Sequence, residues 1–227
     1  MRAFAFVFST AVLTVGSLFP FEPGRHIQLP AQPADDLTRP IAISDSPSPA
    51  YSVALGAMLA SGTPGGVTFD GGCLDHSEPV IRPHGTTLRE VLDSITEEDA
   101  SYAWNMNQGV VNLVPSGGAP AFLKMNLDTY DSGDLANASE AVVFLASSPE
   151  VTRDAAKLGL QKNPSGSPLG SASLEPRPPQ KPLGIRLQNV TLLGVLNAIA
   201  RANKHGVWTY YEKKCGSVHQ FDLTFTE

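Results

Sequence analysis

One spacing constrains the fold of this chain more than any other feature. Thr87, Leu88, Val91, Leu92 and Ile95 recur as Thr191, Leu192, Val195, Leu196 and Ile199, and the offset is 191 − 87 = 104 at every position. Trp104 follows Ile95 by nine residues, and Trp208 follows Ile199 by nine. Apolar residues at i, i+3, i+4 and i+7 predict one buried face of an amphipathic helix. Thr87 with Glu90 forms a capping box at the first helix start, whereas Gly194 stands where the second would need its acid. Each helix leads into a strand in which the Trp shares a face with Met106 or Tyr210. Turns follow at Asn107-Gln108-Gly109 and Cys215-Gly216-Ser217, and the returning strands are Val110 to Val114 and Val218 to Phe225. Two copies are a duplication; a solenoid needs three or more.

Ahead of the first copy, Ile41-Ala42-Ile43 reads as a strand. Tyr51, Leu55, Met58 and Leu59 give a helical stripe closed by Gly62. Val67-Thr68-Phe69 and Val80-Ile81 read as further strands, so residues 41–116 run β-α-β-β-α-β-β. Ahead of the second copy, Ala136 to Leu145 is helical, and Val151 to Leu160 adds a helical turn. The expected fold class is α+β: small mixed sheets with two helices each, duplicated as two related domains, 41–116 and 120–227.

The surplus of punctuating residues lies between these units. Of 20 Gly and 19 Pro, many fall in a Pro-rich linker over 21–40 and in a flexible insertion over 161–183, QKNPSGSPLGSASLEPRPPQKPL. Residues 1–20 carry one arginine and then the uncharged run AFAFVFSTAVLTVGSLF, which reads as a secretory signal; retained, it would be an N-terminal anchor and the single membrane contact. A net charge of −6 lends the chain no general attraction for phosphate backbones, so nucleic acid is not an expected partner.

Four pieces within 41–115 carry a family resemblance: IAIS, YSVALGAMLASGTPGGVTFD, RPHGTTLREVLDSI and SYAWNMNQGVVNLVP. They resemble the secretin and TonB short N-terminal domain, whose second helix starts on a motif that Gly85, Thr87 and Leu88 match. The resemblance covers roughly a third of the chain; nothing after Pro115 resembles a secretin ring or a membrane barrel. It implies a non-catalytic interaction or scaffold module in the periplasm or cell envelope of a Gram-negative-type bacterium. Its partner would be an envelope protein of secretin, TonB-dependent receptor or anti-sigma regulator type.

Small mixed sheets leave edges to which a partner can add a strand. The candidate edges are Val110 to Val114, through Val110, Val111 and Leu113, and Val218 to Phe225, through Val218 and Phe221; Tyr211 is the candidate exposed aromatic contact. Trp104 and Trp208, in phase with the helices behind them, read as core anchors. No catalytic, cofactor or metal residue is assigned, and no cofactor is expected. Two rival readings remain. Cys73, Asp75, His76 and His84 crowd one loop, which could serve an envelope hydrolase or metal-binding enzyme built on Cys73, His76 and His84. The cleft between the copies could instead hold a small ligand or cell-wall fragment. In an oxidising compartment Cys73 and Cys215 can pair as a disulfide, or remain free thiols.

Overall fold

The computed structural model describes residues 37–71, 79–164 and 182–227. In chain order the elements are β1 (Ser48–Pro49), α1 (Ala50–Ser61), β2 (Gly65–Gly71), β3 (Val80–Ile81), α2 (Leu88–Glu98), β4 (Tyr102–Asn107) and β5 (Val110–Pro115). They continue with β6 (Asn126–Asp131), α3 (Ala138–Ala146), α4 (Pro149–Lys157), β7 (Gln161–Lys162), β8 (Arg186–Thr191), α5 (Leu192–Asn203), β9 (Val207–Cys215) and β10 (Val218–Thr226). The architecture is α+β, with five helices and three sheets among the described residues.

Local chemistry sets the helices. Thr87 Oγ1 accepts from the Glu90 amide (3.3 Å), and Glu90 Oε2 accepts from the Thr87 amide (3.2 Å), closing the capping box that starts α2. At α5 only the first half of that device is present: Thr191 Oγ1 accepts from the Gly194 amide (3.1 Å). Gly62, in the left-handed region at φ 69°, ends α1, where its amide and that of Thr63 return to Leu59 and Met58. Gln108 and Gly109 both have positive φ, as a two-residue primed turn requires between β4 and β5.

Two predicted elements differ from the structure. Ile41-Ala42-Ile43 forms no strand; the Ile41 amide donates to Thr86 O (2.8 Å), and the first strand is β1, paired antiparallel with β3. The insertion expected over 161–183 does not begin at 161, because Gln161 and Lys162 pair with Gln220 and Phe221. Residues 165–181 lie outside the described residues, as do residues 1–36, including the expected signal segment. Among the described residues no helix is long and apolar enough to cross a membrane.

The two halves do not stand apart as separate domains with small sheets of their own. Six strands form one sheet in the order β4-β5-β2-β9-β10-β7, and β2 pairs with β9 in parallel over Gly65–Gly71. Taking β2 as up, β5 and β9 are also up, while β4, β10 and β7 run down. Successive strand residues face opposite sides, so Val67, Val111, Leu113 and Val207 lie on one face with α1 and α2. Trp208, Tyr210, Phe221, Leu223 and Phe225 lie on the other with α3, α4 and α5. The first pair of helices and the later ones therefore cover opposite faces of one sheet. Two further antiparallel pairs, β1 with β3 and β6 with β8, complete the fold.

Candidate functional site

The strand order corrects the expected edges. β5 is bonded to β4 on one side and β2 on the other, so Val110, Val111 and Leu113 are fully buried and offer no edge. β10 lies between β9 and β7, with Phe221 buried beneath Phe122 at a ring separation of 4.5 Å. Val218 is exposed at the hairpin tip. Tyr211 is half-buried rather than exposed, its ring 5.2 Å from that of Phe69.

The open edge is β4, whose outer side no described strand pairs. Ser116 donates its amide to Ser101 O (2.7 Å), which fixes the alternation along the ladder: Ala103, Asn105 and Asn107 exchange bonds with β5. The main-chain groups of Trp104 and Met106 consequently point away from the sheet. Trp104 is half-buried, and Met106 and Asn105 are exposed. The Trp104 indole is held from behind: its Nε1–H donates to Asp93 Oδ1 (2.9 Å), and the Arg89 guanidinium lies 5.4 Å from its ring centre.

Trp208 is held in the same way with a different cover. Its Nε1–H donates to Asn197 Oδ1 (2.9 Å), again eleven residues earlier in the chain on the helix before the strand. Trp208 is fully buried because β2 lies against it, and Gly66 is the residue alongside. A Cβ at Gly66 would fall inside the Trp208 indole, and one at Gly71 inside the Tyr211 ring. Glycine in β2 is thus a packing requirement of the aromatic residues on β9. The core-anchor expectation holds for Trp208 and is corrected for Trp104, which lacks the covering strand.

A cleft of about 400 Å³ lies near the end of β2, lined by Phe69, Phe122, Leu160, Asp70, Glu212 and His219 among others. Glu212 is its electrostatic centre. Tyr210 Oη donates to Glu212 Oε2 (2.6 Å), while Lys214 Nζ donates to Oε1 (2.9 Å) and His219 Nε2 lies 2.8 Å from Oε1. Burial pushes the Glu212 carboxyl up, but the bonds from Tyr210, His219 and Lys214 outweigh it and leave the group below its ordinary value. Burial, with Glu212 adding to it, pushes the Tyr210 phenol well up. Both oxygens of Glu212 are therefore engaged, Oε2 by Tyr210 on the same strand and Oε1 by Lys214 and by His219, the contact that ties β9 to β10. Thr68 Oγ1, at the cleft wall, is buried without a partner among the described residues.

Cys73, Asp75 and His76 lie outside the described residues. His84 is exposed, its Nδ1 3.4 Å from Glu98 Oε1. Among the described residues no group of three or more His, Cys, Asp and Glu could hold a metal ion. Cys215 is disulfide-bonded, and Cys73, the other cysteine of the chain, falls outside the described residues. The cluster at Glu212 was missed by sequence reasoning, although the hairpin register carries it: Lys214 pairs with His219, and Glu212 lies two positions along the same strand.

The chain matches no protein-family model. No curated protein matches it. No solved structure matches it.

Proposed function

We propose that this chain is an exported, non-catalytic docking module, built by tandem duplication and recognising an envelope protein partner through the open side of β4. The duplication reading rests on three correspondences. The element order β1-α1-β2-β3-α2-β4-β5 is matched by β6-α3-β7-β8-α5-β9-β10, with α4 inserted. The sheet orders β4-β5-β2 and β9-β10-β7 are the same, with every strand direction reversed. A half-turn about an axis in the sheet, across the strands, reverses directions and exchanges faces together, which fits helices on opposite sides. The indole bonds Trp104–Asp93 and Trp208–Asn197 add a side-chain correspondence at the 104-residue offset.

The single observation that carries the docking reading is the outer side of β4, which is unpaired among the described residues and has Trp104 at its centre. Unpaired strand edges are templates for strand addition, and a half-buried aromatic supplies the anchor that such interfaces concentrate on. The resemblance to the secretin and TonB short N-terminal domain supports a periplasmic setting and a partner of secretin, TonB-dependent receptor or anti-sigma regulator type. A photo-crosslinking residue placed at Met106 tests the reading in envelope extracts, with the same residue at Phe144, exposed on α3, as control. The expected result is a discrete product from position 106 that disappears with Trp104→Pro, which removes an outward amide and the aromatic anchor while leaving the bonds of Ala103 and Asn105 to β5 in place. Equal products from both positions, or a product untouched by Trp104→Pro, would refute it.

A second reading, a small-ligand module, is favoured by the cleft beside Thr68, whose buried hydroxyl is unpartnered. It predicts that Thr68→Val lowers affinity for whatever ligand co-purifies, without altering crosslinking at position 106.

A further inference from the structure

The two tryptophans define what the open edge is shaped to receive. At β9 the hairpin register fixes the inner residues as Val207, Thr209 and Tyr211, so the main-chain groups of Trp208 and Tyr210 point outward to β2. At β4 the outward groups belong to Trp104 and Met106, the counterparts at the 104-residue offset. Both indoles are pinned by the same bond to the preceding helix. One of these two edges already has its occupant. That occupant, β2, runs parallel to β9 and presents Gly66 to the ring, where a side chain has no room.

We propose that the open side of β4 takes a strand from a partner protein that runs parallel to β4 and carries glycine opposite Trp104. This rests on the docking reading and specifies the partner. A second copy of the chain is the poorer donor. Its glycine-bearing strand, β2, is bonded on both sides, by β5 and β9. The other sheet end, β7, has two residues, Gln161 and Lys162, and neither is glycine. Parallel addition also matches the sense in which the sheet already crosses from one half to the other.

The test uses the full chain and a synthetic peptide copying residues 63–71, Thr-Pro-Gly-Gly-Val-Thr-Phe-Asp-Gly. The two indole N–H signals in a ¹⁵N spectrum report the two edges separately. The expected result is that peptide shifts the Trp104 signal, leaves Trp208 in place, and slows amide exchange at Trp104 and Met106 about tenfold or more. The peptide carrying Gly66→Val should do none of this. No shift at millimolar peptide, an equal response to the valine peptide, or a shift of Trp208 (which would mean displacement of β2) each overturns the proposal. A Trp104 signal that moves with protein concentration alone, without peptide, overturns the choice of a partner over a second copy. Crosslinking from position 106 that persists without any peptide response separates the cases: docking at β4 would stand, and the parallel, glycine-bearing geometry would fall.

Discussion

Gly66→Ala isolates the close approach between the halves. The substitution adds one methyl group, and Gly66 lacks a positive φ, so backbone strain does not enter. What the methyl meets is the rigid ring system of Trp208, fully buried and pinned at its nitrogen by Asn197. Overpacking a filled core costs about 1–3 kcal/mol. For a body of this size that corresponds to a fall in melting temperature of roughly 2–12 °C, taking about 2–4 °C per kcal/mol. Gly56 supplies the internal control: it is exposed in the middle of α1, and a Cβ there meets nothing within 4 Å. Gly56→Ala should raise stability by about 0.5–1 kcal/mol, through helix propensity and a less flexible unfolded chain. Urea unfolding followed by circular dichroism measures both. Combining Gly66→Ala with Trp208→Phe should recover part of the loss, with a coupling energy of about 1 kcal/mol, because the atoms met by the new methyl belong to the indole alone. If Gly66→Ala is as harmless as Gly56→Ala, or its cost is unchanged beside Trp208→Phe, the account of β2 as a glycine-notched cover is wrong.

Two other predictions follow from burial. Trp208→Ala should cost about 3–5 kcal/mol in chemical unfolding, against about 1–2 kcal/mol for Trp104→Ala, which loses a half-buried ring and its contact with Arg89; equal costs would remove the distinction between covered and uncovered edges. Asp222 is buried, with Oδ1 accepting from the Leu223 amide (2.9 Å) and Oδ2 without a partner among the described residues, and burial raises its carboxyl above the ordinary value. A raised folded value means that ionisation opposes folding at neutral pH and ceases to do so once the group is protonated. Asp222→Asn should therefore raise the melting temperature at pH 7, and the gain should fade as pH drops towards about 4; a gain independent of pH would sink the assignment.

The helices were legible because their signals are local. Thr87, Glu90 and the apolar spacing of α2 need nothing beyond their own segment, and the same holds for α5 and for the two-residue turns after Asn107 and Cys215. Strand order is not local, and there the reading failed. β5 and β10 were expected at edges, yet both are flanked. The sequence did hold a warning: Val-Val-Asn-Leu-Val in β5 does not alternate, and all five residues are buried, as in a strand covered on both faces. The local pattern starts β2 only at Val67, because Gly65 and Gly66 look like strand breakers. Their reasons are Met58 and Trp208, the second of them more than a hundred residues away, and no local pattern reveals them.

The half-turn that relates the two parts of the sheet has a consequence for growth. A rotation combined with a step along the sheet is a screw, and a screw applied again does not close on itself; chains joined by it would lengthen without limit into a fibre. Among the described residues, one end of this sheet is open at β4, and the other consists of Gln161 and Lys162, followed by Asn163 and by Pro164, which has no amide to donate. On the docking proposed above, the molecule would accept a strand at one end and offer little at the other, so addition would halt after one step.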